Sequence, residues 1–147
     1  DLMEAILRYG GKGCRSVALV YAYSSLEEVA PLLTEAANEW FHQNKLDPKP
    51  LPFVRYRKAY NDAVGVPSLL LGSHLIQAGV AAPDHPEIVY WQDYQPPIQV
   101  KMNYSGILQE VYGCGNTELT PLNQAQRPPI NWKPDGVDTL RWILESK

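Results

Sequence analysis

The chain has 147 residues, 45% of them hydrophobic, and a formal net charge of −3. This length suits one domain, residues 1–147, with a core of its own. The acidic balance excludes a broad phosphate-binding face, which needs clustered Lys and Arg, and no apolar run reaches the ~20 residues of a membrane helix. The chain begins at Asp1 rather than Met and its first residues do not read as a signal peptide, so an upstream stretch is expected to have been removed or left out. A mature secreted chain and a piece of a larger protein are both expected sources, the secretory pathway or periplasm being favoured over the cytoplasm.

Asp1 and Glu4 have capping-box spacing ahead of Leu2, Ala5, Ile6 and Leu7, and Gly10-Gly11 stops this short first helix. Ser16–Tyr23 is apolar at nearly every position and reads as a strand covered on both faces. Ser24 and Ser25 each precede a Glu by three residues, Glu27 and Glu28, and open a helix over Leu26–Gln43. Val29, Leu33, Ala36, Ala37 and Trp40 make its apolar stripe. Pro31 lacks the N–H for the preceding turn and is expected to kink or restart it.

Lys45–Pro52 carries three prolines and reads as a loop, and Phe53–Arg57 as a short strand. Gly65–Ile76 reads as two strands joined by a tight turn at Gly72-Ser73. A helix started by Pro67 is the alternative. Glu87–Gln92 reads as a strand. Ile98, Val100, Met102 and Tyr104 alternate with polar residues, as in a half-exposed strand. Asn116–Pro134 reads as a polar, proline-rich loop, and Val137–Glu145 as a closing helix.

Three stretches carry a family likeness. The strand Val17–Tyr23 followed by Leu26–Trp40, with its Ala30-Pro31 pair, resembles the active-site strand and helix of thioredoxins. Gly65-Val66-Pro67-Ser68 is similar to the strand that carries that family's cis-proline. The closing helix after Asp135-Gly136 is similar to the family's last helix. The resemblance implies an α/β, thioredoxin-like three-layer sandwich with a mixed sheet, a cis Val66–Pro67 bond, and an insertion of about 80–133 before the last helix. The family's Cys-x-x-Cys would fall at Tyr23-Ser24-Ser25-Leu26, where no cysteine stands. Thiol–disulfide exchange needs an attacking thiolate, so that chemistry does not carry over.

What remains is the expectation of a redox-inactive module that binds protein or peptide, as an assembly factor, chaperone-type sensor or subunit, with no cofactor and no metal. Its groove would be lined by Tyr23, Ser24, Ser25, Leu26, Val66 and Pro67, the Val66 edge accepting an extended peptide as an added strand. Tyr90, Trp91, Tyr94 and Trp132 form a second expected interface, since aromatics beside prolines mark protein contacts.

Other features weigh less. Cys14, between Lys12 and Arg15, is the nucleophile of the alternative reading, a thiol-dependent enzyme; its pairing with Cys114 stays open. His42, His74 and His85 lack zinc-site spacing. Arg55, Tyr56, Arg57, Lys58 and Tyr60 interleave base and aromatic, a pattern compatible with local single-strand contacts. A strand with one solvated basic face is the favoured reading, and nucleic acid is not the expected partner.

Overall fold

The computed structural model describes residues 1–13, 15–79, 84–103, 110–114 and 119–128. Helix α1 (Leu2–Leu7) buries Met3, Ala5, Ile6 and Leu7. Asp1 makes no side-chain cap; its carbonyl accepts from Ala5 N at 2.9 Å, and Glu4 instead pairs with Arg8 and with Arg127. Arg8–Gly11 follow as a 3-10 turn. Strand β1 (Leu19–Ala22) is the inner part of the apolar run.

Helix α2 (Leu26–Asn44) starts where its capping signal stands: Ser25 Oγ accepts from Glu28 N, and Glu28 Oε2 accepts from Ser25 N. The helix runs unbroken across Pro31, which is exposed. Leu26, Leu33 and Ala37 are its buried residues, with Val29, Trp40 and Phe41 packed against the same core. Ala36, expected inward, faces solvent. Full burial of each leucine contributes about 1.5–3 kcal/mol.

The next element corrects the expectation for Phe53–Arg57. These residues lie in helix α3 (Pro52–Val64), not in a strand. Pro52 occupies the first turn, where a missing N–H costs nothing, and Gly65 closes the helix in the left-handed region at φ 75°.

Strands β2 (Ser68–Leu71) and β3 (His74–Ala78) form the hairpin expected around Gly72-Ser73, which removes the alternative of a helix from Pro67. Among the described residues no peptide bond is cis, so Val66–Pro67 is trans, a correction to what the resemblance implied. Strand β4 (Ile88–Asp93) is buried over its first five residues. Helix α4 (Pro97–Asn103) overturns the half-exposed strand expected from Ile98 onward. Period two would put Ile98, Val100 and Met102 on one face. On the helix only Val100 is buried, while Ile98 and Met102 are exposed. Two short strands, β5 (Tyr112–Gly113) and β6 (Thr120–Pro121), pair parallel. The closing helix over Val137–Glu145 lies outside the described residues.

The main sheet is mixed, in the order β1-β4-β3-β2. β4 pairs parallel with β1 and β3, and β2 joins β3 antiparallel at the edge. Alternation along the strands separates two cores. Ile76, Val89, Trp91 and Leu71 pack with Ile6, Leu33 and Ala37 of α1 and α2. Leu75, Ile88 and Tyr90 turn the other way and meet Val54 of α3. The protein is therefore an α/β fold with helices against both faces of a mixed four-stranded sheet. Among the described residues no helix is long and apolar enough to cross a membrane.

Candidate functional site: an outward aromatic face on α3

The expected groove is not assembled as the resemblance implied. Register places Pro67 level with Ala78, Trp91 and Val20, with β3 and β4 lying between it and β1. Three strand spacings amount to ~14 Å, and Ser24 lies four residues further along the chain than Val20. Val66 N donates to Asn61 O at 2.9 Å, and Pro67 O accepts from Ala78 N at 2.8 Å. Those backbone groups are therefore already engaged within the fold.

Tyr23–Leu26 stay together as local structure. Tyr23 is 85% exposed and stacks on Tyr94 at 4.1 Å between ring centres. A hydrogen bond with Tyr94 raises the Tyr23 phenol above its ordinary value. Ser24 O accepts from Trp91 Nε1 at 2.9 Å, Ser25 caps α2, and Leu26 is buried. Of the second expected interface, Tyr90 and Trp91 belong to the core at 2% and 7% exposure and offer no surface. They sit on the central strand, where both faces are covered. Trp132 and Cys14 lie outside the described residues. Cys114 is an exposed free thiol.

The largest unexplained feature is α3. Its inner side is narrow: Val54 is fully buried, and the buried Asn61 donates from Nδ2 to Gln77 Oε1 at 2.9 Å. The flank of its first turns is tied to the loop before β4. Arg57 donates to Asp84 Oδ2 at 3.2 Å, Tyr90 OH donates to Asp84 Oδ1 at 2.8 Å, and the Phe53 ring rests 4.8 Å from that of His85. Partial burial alone would raise the Asp84 carboxyl. The bonds from Tyr90 and Arg57 outweigh it and hold that carboxyl below its ordinary value.

The outer side of α3 is apolar. At 3.6 residues per turn, Phe53, Tyr56, Ala59, Tyr60, Ala63 and Val64 fall within an arc of roughly 140°, and all six are exposed. Tyr56 is 69%, Tyr60 53% and Val64 53% exposed. A helix of a globular protein normally turns such a stripe inward; here the stripe points to solvent. Of the stripe, only Tyr56 and Tyr60 belong to the basic-aromatic strand that the sequence suggests. Two of the three bases are engaged, Arg57 by Asp84 and Lys58 by Asp62 at 2.6 Å, which leaves little free positive charge for phosphates. The missed signal was the spacing 53, 56, 60, 63 behind a proline at a first-turn position.

A separate polar cluster surrounds β3 and the loop before β4. His74 is buried, its Nε2 has no partner, and burial pushes its pKa down to about 4 although Glu87 pulls the other way. His85 Nδ1 lies 2.7 Å from the buried Glu87 Oε2, and Lys12 Nζ lies 3.8 Å from Oε1. Among the described residues no group of His, Cys, Asp and Glu could hold a metal ion.

No family model, curated protein or solved structure matches this chain. The functional reading therefore stands on the residues themselves.

Proposed function

We propose that this domain is a non-catalytic protein-binding module that docks its partner on the outer face of α3. The observation that supports it is the exposed stripe Phe53, Tyr56, Ala59, Tyr60, Ala63 and Val64 on a helix held to the sheet by its opposite edge. Contiguous exposed apolar surface of this kind marks an interaction site, and Tyr is among the residues enriched in interface hot spots. An amphipathic helix presenting anchors at three- and four-residue spacing is a recurring mode of protein recognition. The proposal does not use the thioredoxin-type groove, because Val66 and Pro67 spend their backbone groups on Asn61 and Ala78.

The test is site-specific photo-crosslinking in cells. A benzophenone side chain replaces Tyr56 or Tyr60 in turn, and Glu35, exposed on α2, serves as the control position. Discrete protein adducts at positions 56 and 60 but not at 35 are expected. Equal, diffuse labelling at all three positions would remove the reading.

A further inference from the structure

We infer that the protein docked on α3 is a second copy of this chain, its α3 lying antiparallel to the first across a two-fold axis between Lys58 and Ala59. The inference rests on the reading of α3 as a docking face and adds the identity of the occupant. Three features of the face lead to it.

The first is charge. Arg55 and Asp62 are both exposed and sit on the same flank of the apolar stripe, at opposite ends of it. A two-fold axis perpendicular to an antiparallel helix pair brings like flanks together with opposite ends matched. Arg55 of each copy then meets Asp62 of the other, giving two ion pairs from one surface. That is the self-complementarity a closed isologous dimer requires. Asp62 already accepts from Lys58 of its own helix, so each Arg55 would join an existing pair.

The second is shape. The same operation sets Phe53 against Val64 and Tyr56 against Tyr60, large residues on either side of the centre. Ala59 lies within one residue of the axis, on the Arg55–Asp62 edge of the stripe, where its small side chain lets the two flanks come close. Ala63, one turn on, again keeps the approach open.

The third is size. A fully exposed aromatic side chain offers ~150–250 Å²; at 39%, 69% and 53% exposure, Phe53, Tyr56 and Tyr60 offer on the order of 240–400 Å² per copy. Stable interfaces bury roughly 800 Å² per partner. The face falls well short of that figure, which predicts a weak, reversible dimer that forms only at high chain concentration.

Sedimentation equilibrium of the purified chain, up to several hundred micromolar, tests this. A monomer–dimer equilibrium is expected. Ala59→Arg sets two cations against each other beside the axis and should raise the dissociation constant about tenfold or more. Circular dichroism checks that each variant folds. Register is tested by charge exchange. Arg55→Asp and Asp62→Arg should each weaken the dimer, because like charges then face each other, and the double variant should recover it.

A chain monomeric throughout, a dimer indifferent to Ala59→Arg, or a double variant no better than the singles would overturn the inference. The crosslinked adducts separate its failure from that of the broader reading. Adducts of twice the chain mass support self-pairing. Discrete adducts of other mass, with a monomeric chain, sink self-pairing while the docking face stands. No discrete adduct sinks both.

Discussion

Between pH 7 and pH 5 the stability of this fold should fall, and His74 should be the main cause. His74 is 1% exposed on β3, Ser73 Oγ lies 3.1 Å from its Nδ1, and its Nε2 has no partner. Gly11 is part of the same enclosure: a Cβ there would stand 3.0 Å from Nε2 and 2.0 Å from Pro86 O, so the backbone closes over the ring. The titratable groups around it are Glu87, which favours the imidazolium, and Lys12 and His85, which contact Glu87. Burial dominates, and the pKa drops from 6.5 to about 4. The folded state thus resists a proton that the unfolded chain accepts. Stability is complete above 6.5 and declines as pH falls toward 4, the unfolded state binding more protons over that interval. Two and a half units correspond to about 3 kcal/mol at the acid end, and roughly 2 kcal/mol is already lost at pH 5. Asp84, held below its ordinary carboxylate value, titrates beneath this window. Urea denaturation at half-unit steps from pH 7.5 to 5 reads the slope, and His74→Gln should flatten most of it. Equal slopes in the two proteins would refute the reasoning.

Three substitutions test how the elements are fastened, each read by urea denaturation at pH 7.5. Gly72→Ala should cost about 1–3 kcal/mol, because φ is +57° and the new Cβ would stand 2.5 Å from the Phe41 ring and 2.7 Å from Pro48 Cγ; a loss under about 0.5 kcal/mol would show that the turn yields freely. Ser25→Ala removes half of the α2 capping box and should cost about 1 kcal/mol, with Ser25→Asp restoring most of it. Asn61→Ala leaves Gln77 Oε1 buried without its donor, with an expected loss of about 1–3 kcal/mol. No loss there would mean that the Asn61–Gln77 bond does not fasten α3 to the sheet.

What could be read in advance was what is local. The β1 run, the Ser25–Glu28 box, the Gly72-Ser73 hairpin and the apolar β4 segment each carry their signal within a few residues, and each element stands where that signal lies. Two helices were misread as strands for one reason. Short amphipathic stretches offer too few turns to separate period 2 from period 3.6, so Phe53-Val54-Arg55-Tyr56-Arg57 and Ile98–Met102 fit an alternation as well as a helix. At Pro52 the proline was counted against helix, although the first turn is where a helix tolerates it best. Strand order lay beyond local reading altogether. Nothing near Ser24 or Pro67 announces that β4, seventy residues after β1, inserts beside it. The expected groove depended on that order.

The misreading of α3 also explains why its face went unnoticed. On a strand, Phe53, Arg55 and Arg57 share one side and Val54, Tyr56 and Lys58 the other, so each side mixes apolar with charged residues and neither asks for a partner. On a helix the same residues sort themselves. Val54 and Asn61 face the sheet, Arg57 and Lys58 stand half-exposed beside them on their carboxylates, and the aromatics gather opposite. The chain thus spends its single fully buried aliphatic of α3, and its internal hydrogen bonds, on attaching the helix by one edge. It leaves the larger apolar surface outward, an arrangement that lowers the free energy of the fold only when something covers that surface. Among the described residues nothing covers that stripe, and the proposed docking on α3 rests on it.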